Sequence, residues 1–191
     1  MYSENSFNSL AVFCGSKTGS NPVFASDAVT LGYWLAEHNI RLVYGGGSAG
    51  LMGIVADAVL GKGGRVTGII PSLLLEWEVQ HRALTELIIA EDMHQRKKEL
   101  YSRCDAALVL PGGFGTLDEL FEIITWNQLT IHDKPIFILN SDGFYDALLQ
   151  HIEQMKKEGF LYKEAIDKIQ VVKTIEELEF YRKNRPRPLF S

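Results

Sequence analysis

The sequence predicts an α/β fold, a single Rossmann-like domain with a doubly wound, mostly parallel sheet flanked by helices. Three observations carry that prediction. Short apolar, β-branched runs alternate along the chain with helix-patterned stretches. Most of these runs lack the polar alternation of a half-exposed strand, as expected where helices cover both faces of a sheet. Glycine-bearing turns follow three of the strands, at the ends where such sheets bind ligands. The chain has 191 residues, the length of one domain. Residues 1–8 and 185–191 are expected to be loose tails.

The elements follow in order. A strand at Leu10 to Phe13 precedes a helix opened by Asn21-Pro22, a capping side chain followed by proline at the first helical position, and running to about His38. Strand Arg41 to Tyr44 leads through a glycine turn to a helix at Leu51 to Leu60, and Val66 to Ile70 forms the next strand. Strand Leu87 to Ile89 comes before a helix at His94 to Arg103. Strand Ala106 to Leu110 then feeds a second glycine turn and a helix at Thr116 to Leu129. The rest is strand Pro135 to Leu139, helix Phe144 to Lys157, a short strand Gln170 to Val172 and helix Thr174 to Asn184.

Composition narrows the function. Hydrophobic residues make up 46% and charged residues 23%, which excludes disorder, collagen and coiled coil. A net charge of −5 argues against a broad nucleic-acid surface and leaves room for a small basic pocket holding one anion. Cys14 and Cys104 have neither CxxC nor zinc spacing and read as reduced thiols. No basic end with an apolar run marks a signal peptide, and no stretch approaches ~20 apolar residues, so a cytoplasmic protein without a membrane partner is expected. His38, His81, His94, His132 and His151 show no ligand spacing, so neither a metal nor a cofactor is expected. No GxSxG or Cys–His motif points to covalent catalysis.

The three turns are the candidate site. Cys14-Gly15-Ser16-Lys17 lets a ligand approach the backbone. Gly45-Gly46-Gly47-Ser48-Ala49-Gly50 matches GxGxxG, yet the strand that should end in a ribose-binding acid ends in Pro71, so a dinucleotide is disfavoured. Pro111-Gly112-Gly113-Phe114-Gly115-Thr116 precedes a helix and can cradle a phosphate on backbone N–H groups. It lacks the lysine of a Walker A loop.

Glu119 has two readings. Thr116 and Glu119 have capping-box spacing, but a carboxylate one turn from a phosphate cradle is also placed for chemistry. At about 100° per residue, Leu117, Leu120, Phe121, Ile124 and Gln128 share one face, with Glu119, Ile123 and Trp126 opposite. Two apolar faces place that helix between the sheet and a second surface, such as another subunit. Upstream, Met93, Leu100 and Cys104 form a stripe that Arg96 and Lys97 flank. Two cations there point to an anionic partner or to snorkelling at the sheet edge.

Pro111-Gly-Gly-Phe-Gly-Thr-Leu-Asp-Glu119, together with Asp92-Met-His-Gln-Arg-Lys97, resembles the LOG ("Lonely guy") family, often mislabelled lysine decarboxylases. The similarity takes in Cys14-Gly-Ser16, Tyr44-Gly-Gly-Gly47, Gly50-Leu-Met-Gly53, Thr125-Trp-Asn-Gln-Leu129 and His132-Asp-Lys-Pro135, over roughly residues 9–165. The resemblance implies a Rossmann-like homodimer that hydrolyses the N-glycosidic bond of N6-modified AMP, a purine nucleoside 5′-monophosphate. It implies Arg96 and Glu119 as the catalytic pair. Gly112, Gly113, Phe114, Gly115 and Thr116 are implied as the phosphate loop, with Lys97 beside it. Ser16, Gly46, Gly47, Met93, Glu78 and Thr125 are implied as further substrate contacts. Phe114 and Asp118 stand where plant members commonly have Tyr and Glu. A general purine-nucleotide nucleosidase and a non-catalytic nucleotide-binding protein remain as alternatives.

Overall fold

A computed structural model describes residues 7–74, 80–162 and 168–183. Seven strands form one sheet: β1 (Ser9–Phe13), β2 (Arg41–Tyr44), β3 (Val66–Pro71), β4 (Glu86–Ala90), β5 (Ala106–Val109), β6 (Ile136–Leu139) and β7 (Ile169–Val172). Their spatial order is β4-β3-β2-β1-β5-β6-β7 and every pairing is parallel, so "mostly parallel" becomes wholly parallel among the described strands. The chain steps outward from β1 to β4, then crosses back to β5 on the other side of β1. The β1/β5 boundary is therefore the topological switch point, where the loops diverge and leave a crevice.

Among the described residues six α-helices cover the two faces: α1 (Pro22–Glu37), α2 (Gly50–Gly61), α3 (Met93–Ser102), α4 (Phe114–Gln128), α5 (Asp146–Lys157) and α6 (Ile175–Lys183). Alternation within a buried strand distributes its side chains between two cores. From β1, Leu10 and Val12 join Leu31 and Leu35 of α1, Val55 and Val59 of α2 and Leu178 of α6. Ala11 and Phe13 face Leu100 and Tyr101 of α3 and Leu120 and Ile123 of α4. Each fully buried Leu, Ile or Phe contributes roughly 1.5–3 kcal/mol, which gives the site a rigid floor.

Some expected boundaries shift for local reasons. Phe7 is buried, packed on Trp34 and Phe137 at ring separations of 6.2 and 6.1 Å. The N–H of Asn8 donates to Asp105 Oδ2 at 2.8 Å. Residues 7 and 8 thus belong to the packed body rather than to a loose tail; residues 1–6 and 184–191 lie outside the described residues. Helix α5 starts at Asp146 rather than Phe144, because Asp142 and Gly143 take φ of +49° and +73° in a preceding tight turn. Helix α4 starts at Phe114, two residues before the expected Thr116.

Candidate active site

Three loops meet over the switch point and are joined backbone to backbone. The N–H of Gly15 donates to the Pro111 carbonyl at 3.0 Å, and the N–H of Leu51 donates to the Gly15 carbonyl at 3.0 Å. Gly50 has φ +60°, and a Cβ there would lie 2.3 Å from the Ser16 carbonyl carbon, so only glycine allows the β1 and β2 loops to approach. Beside this junction is a cavity of about 330 Å³ whose lining includes Ser16, Lys17, Gly112 and Gly113, with Phe24, Leu51 and Phe144 as an apolar wall. It brings together Ser16, Gly112 and Gly113 from the predicted set.

The start of α4 differs from the capping-box expectation. Gly113 is the N-cap and no side chain caps the helix. Thr116 lies inside the first turn, buried, and a Cβ on Gly112 would sit 2.1 Å from its Oγ1. The N–H of Leu117 donates to the Gly113 carbonyl at 3.1 Å, whereas the N–H groups of the turn before it have no helical acceptor. They face outward with the positive end of the helix dipole, an arrangement that binds phosphate. Phe114, at the tip, is 93% exposed.

Glu119 instead belongs to an ion pair. Asp92 caps α3 by accepting the Gln95 N–H at 2.7 Å, which sets Arg96 on the second half-turn facing α4. Arg96 Nη1 lies 2.9 Å from Glu119 Oε1, with side-chain exposures of only 11% and 10%. Arg96 Nε donates to the Ile69 carbonyl at 3.3 Å. A Cβ on Gly45 would lie 2.5 Å from Arg96 Nη2, so the first glycine of the β2 loop makes room for the guanidinium. Burial pushes the Glu119 carboxyl above the usual carboxylate range, and the Arg96 guanidinium pulls it back. The Cys14 thiol is held protonated, first by burial and then by the nearby Glu119 charge.

Lys97 points to α4 rather than into open solvent. Its Nζ sits 2.8 Å from Asp118 Oδ2 and 3.3 Å from Glu122 Oε2. Burial works against the ammonium, but these two carboxylates outweigh it and raise its pKa. The Tyr101 hydroxyl donates to Glu122 Oε2 at 2.8 Å and lies 3.3 Å from the Glu119 carbonyl. Sequence reasoning missed both Tyr101 and Glu122. The available signal was spacing: Tyr101 lies one turn after Lys97, and Glu122 one turn after Glu119.

The remaining predicted residues spread around this centre. Gly46 has φ +80° and its carbonyl accepts the His81 N–H at 3.0 Å. Gly47 pairs with Gln80 in an antiparallel bridge, and its carbonyl accepts the Tyr44 hydroxyl at 3.1 Å. Met93 is 39% exposed at the head of α3. The Thr125 hydroxyl is exposed on α4 and donates to the Phe121 carbonyl at 2.7 Å. Glu78 lies outside the described residues. Leu120 is a correction: it is fully buried with Ile123 in the core, on the Glu119 side of α4. Leu117, Ile124 and Trp126 are half-buried against that same core, so of the expected second apolar face only Phe121 stays open, at 39% exposure. Among the described residues no cluster of His, Cys, Asp or Glu is placed to hold a metal ion, and no helix is long and apolar enough to cross a membrane.

A parallel sheet with a glycine-led helix at its switch point and a buried Arg–Glu pair at that helix defines a doubly wound α/β protein. Solved structures share this fold. The molybdenum cofactor binding protein of Rippkaea orientalis aligns with TM-score 0.68 and 22% identity, covering 90% of this chain and 93% of that one. The molybdenum cofactor carrier protein of Chlamydomonas reinhardtii aligns with TM-score 0.68 and 18% identity, over 89% and 92%. Sequence relatives are nearer. A probable cytokinin riboside 5′-monophosphate phosphoribohydrolase of Oryza sativa subsp. japonica is 48% identical over 81% of this chain and 70% of its own. A cytokinin riboside 5′-monophosphate phosphoribohydrolase of Arabidopsis thaliana is 47% identical over 83% of this chain and 74% of its own. The family model described as possible lysine decarboxylase matches residues 52–180. With this match and these relatives, the chain belongs to the LOG family.

Proposed function

We propose that this protein is a phosphoribohydrolase that cleaves the N-glycosidic bond of N6-modified AMP, releasing the free base and ribose 5-phosphate. The observation that carries the reading is the buried Arg96–Glu119 pair one turn beyond a helix N-terminus that has glycine at its N-cap and no side-chain cap. In this reading the 5′-phosphate sits on the N–H groups at the start of α4. Binding this non-reacting group holds the sugar in attack geometry. As the C1′–N9 bond breaks, positive charge builds on the ribose, and a carboxylate beside it stabilises that charge. Glu119 takes this role and orients the water that adds to C1′, while Arg96 keeps the carboxylate ionised and fixed. One water is consumed: its hydroxyl adds to C1′ and a proton goes to the departing base. No metal or cofactor is required for these steps.

The reading also takes the protein as a cytoplasmic homodimer, with the exposed Phe121 of α4 covered by a second copy. A product assay tests the activity. Purified protein is incubated with AMP and with N6-isopentenyl-AMP, and free base and ribose 5-phosphate are quantified. Release by wild type and at least a 100-fold loss in Glu119→Ala are expected, since a transition-state donor or carboxylate contributes on that scale. Wild-type rates retained in Glu119→Ala would exclude the assigned chemistry. The ratio of rates on the two nucleotides separates a preference for modified bases from general nucleotide turnover.

A further inference from the structure

Helices α3 and α4 face each other through long polar side chains, and a single acid gathers two of them. Glu122 Oε2 accepts the Tyr101 hydroxyl at 2.8 Å and lies 3.3 Å from Lys97 Nζ. Its side chain is 20% exposed, so both contacts form in a partly dehydrated setting where hydrogen bonds to charge are worth more than in water. Tyr101 is fixed from the other directions. It is 2% exposed, edge-on to Phe13 at 6.0 Å and to Trp126 at 5.1 Å, and its carbonyl accepts the Lys134 ammonium. Burial and the Glu122 contact both keep the phenol protonated, hence a donor. Its oxygen also lies 3.3 Å from the Glu119 carbonyl, within the turn that carries the proposed catalytic acid.

We infer that Glu122 is a positioning residue for Glu119: it anchors the Tyr101 hydroxyl and the Lys97 ammonium of α3, and so fixes the turn of α4 that presents Glu119 to Arg96. The inference rests on the catalytic reading of Glu119. Asp118 also touches Lys97, but it is 56% exposed and on the outer side of the turn, so solvent screens it more. Glu122 is the inner of the two acids and the only one of them that also takes the Tyr101 hydroxyl.

The test combines kinetics with a coupling measurement that needs no turnover. On N6-isopentenyl-AMP, Glu122→Ala and Tyr101→Phe are each expected to lower kcat at least 10-fold with KM within 3-fold. Glu122→Gln, which keeps an acceptor for Tyr101, is expected to recover kcat to within 3-fold of wild type. A structural role alone would not produce rescue by the amide. Separately, a double-mutant cycle of Arg96→Ala and Glu119→Ala is measured by denaturant unfolding. The coupling seen in the wild-type background, expressed as a ratio of unfolding constants, is expected to fall at least 5-fold in the Tyr101→Phe background. Tyr101→Phe removes one oxygen and stays informative should Glu122→Ala fail to fold. Coupling unchanged in Tyr101→Phe overturns the inference whether or not the wild type turns over, as does a kcat within 2-fold of wild type. An inactive wild type with coupling lost in Tyr101→Phe overturns the proposed reaction and leaves the positioning role supported.

Discussion

Replacing Arg96 by Met strips the Glu119 carboxylate of its partner without opening a void. The Nη1–Oε1 separation is 2.9 Å and both side chains are about nine-tenths buried, so the carboxylate left behind is a buried, uncompensated charge. Such breakage costs about 3–5 kcal/mol. The acid can escape by taking a proton. From an ordinary value near 4.3, protonation costs about 1.36 kcal/mol per pH unit, hence roughly 1 kcal/mol at pH 5 and roughly 5 kcal/mol at pH 8. The lost hydrogen bonds add about 1 kcal/mol. Burial already raises this carboxyl in the folded state, and removing Arg96 raises it further. A carboxyl whose folded pKa lies above its unfolded one loses stability as pH rises through the interval between them. The variant's deficit should therefore grow from about 2 kcal/mol at pH 5 to about 3–5 kcal/mol at pH 8. Urea unfolding at the two pH values measures it. A deficit that does not change with pH, or stays below 1 kcal/mol at pH 8, refutes the reasoning. The double variant Arg96→Met/Glu119→Leu removes both charges and should return to within about 1 kcal/mol of wild type, though inactive.

Other consequences are as direct. Gly112→Ala should destabilise by about 1–3 kcal/mol, because its Cβ would lie 2.1 Å from Thr116 Oγ1. Gly113→Ala meets nothing within 4 Å and should unfold within about 0.5 kcal/mol of wild type, any change appearing in KM. Native protein at pH 8 should resist a thiol reagent, since burial pushes Cys104 to about 11 and Cys14 higher still; both thiols should react in denaturant. Phe121→Glu places a charge on the open face of α4 and tests the proposed dimer: wild type should sediment as a dimer and the variant as a monomer, whereas a monomeric wild type, or a variant that stays dimeric, refutes an interface at Phe121.

The strands were legible because burial on both sheet faces leaves a local record. Val66 to Ile70 carries no charged residue and is rich in β-branched side chains, and the structure seats it, buried throughout, between β2 and β4. The capping box misled because Thr116 and Glu119 fit its spacing while glycine at 113 already turns the chain into the helix two residues earlier. A helical wheel could place Arg96 and Lys97 on either side of the apolar stripe of α3, but it carries no information about the helix opposite. That Arg96 would meet Glu119, and Lys97 meet Asp118 and Glu122, depends on how α3 and α4 come to lie side by side over the sheet. Leu120 went to the wrong face for a related reason. It sits at the margin of two apolar sectors, and only packing against β-sheet residues such as Ala107 and Val109 decides between them.

The junction of the three loops is built from main-chain groups alone: Gly15 N–H to the Pro111 carbonyl, and Leu51 N–H to the Gly15 carbonyl. A side-chain exchange at Ser16, Lys17 or Thr18 touches neither bond. The crest of the sheet is thus a fixed mount with interchangeable fittings. A library confined to those three positions can reshape the lining of the cavity while the N-terminus of α4 keeps its aim, making this stretch the natural place to begin redesigning ligand preference.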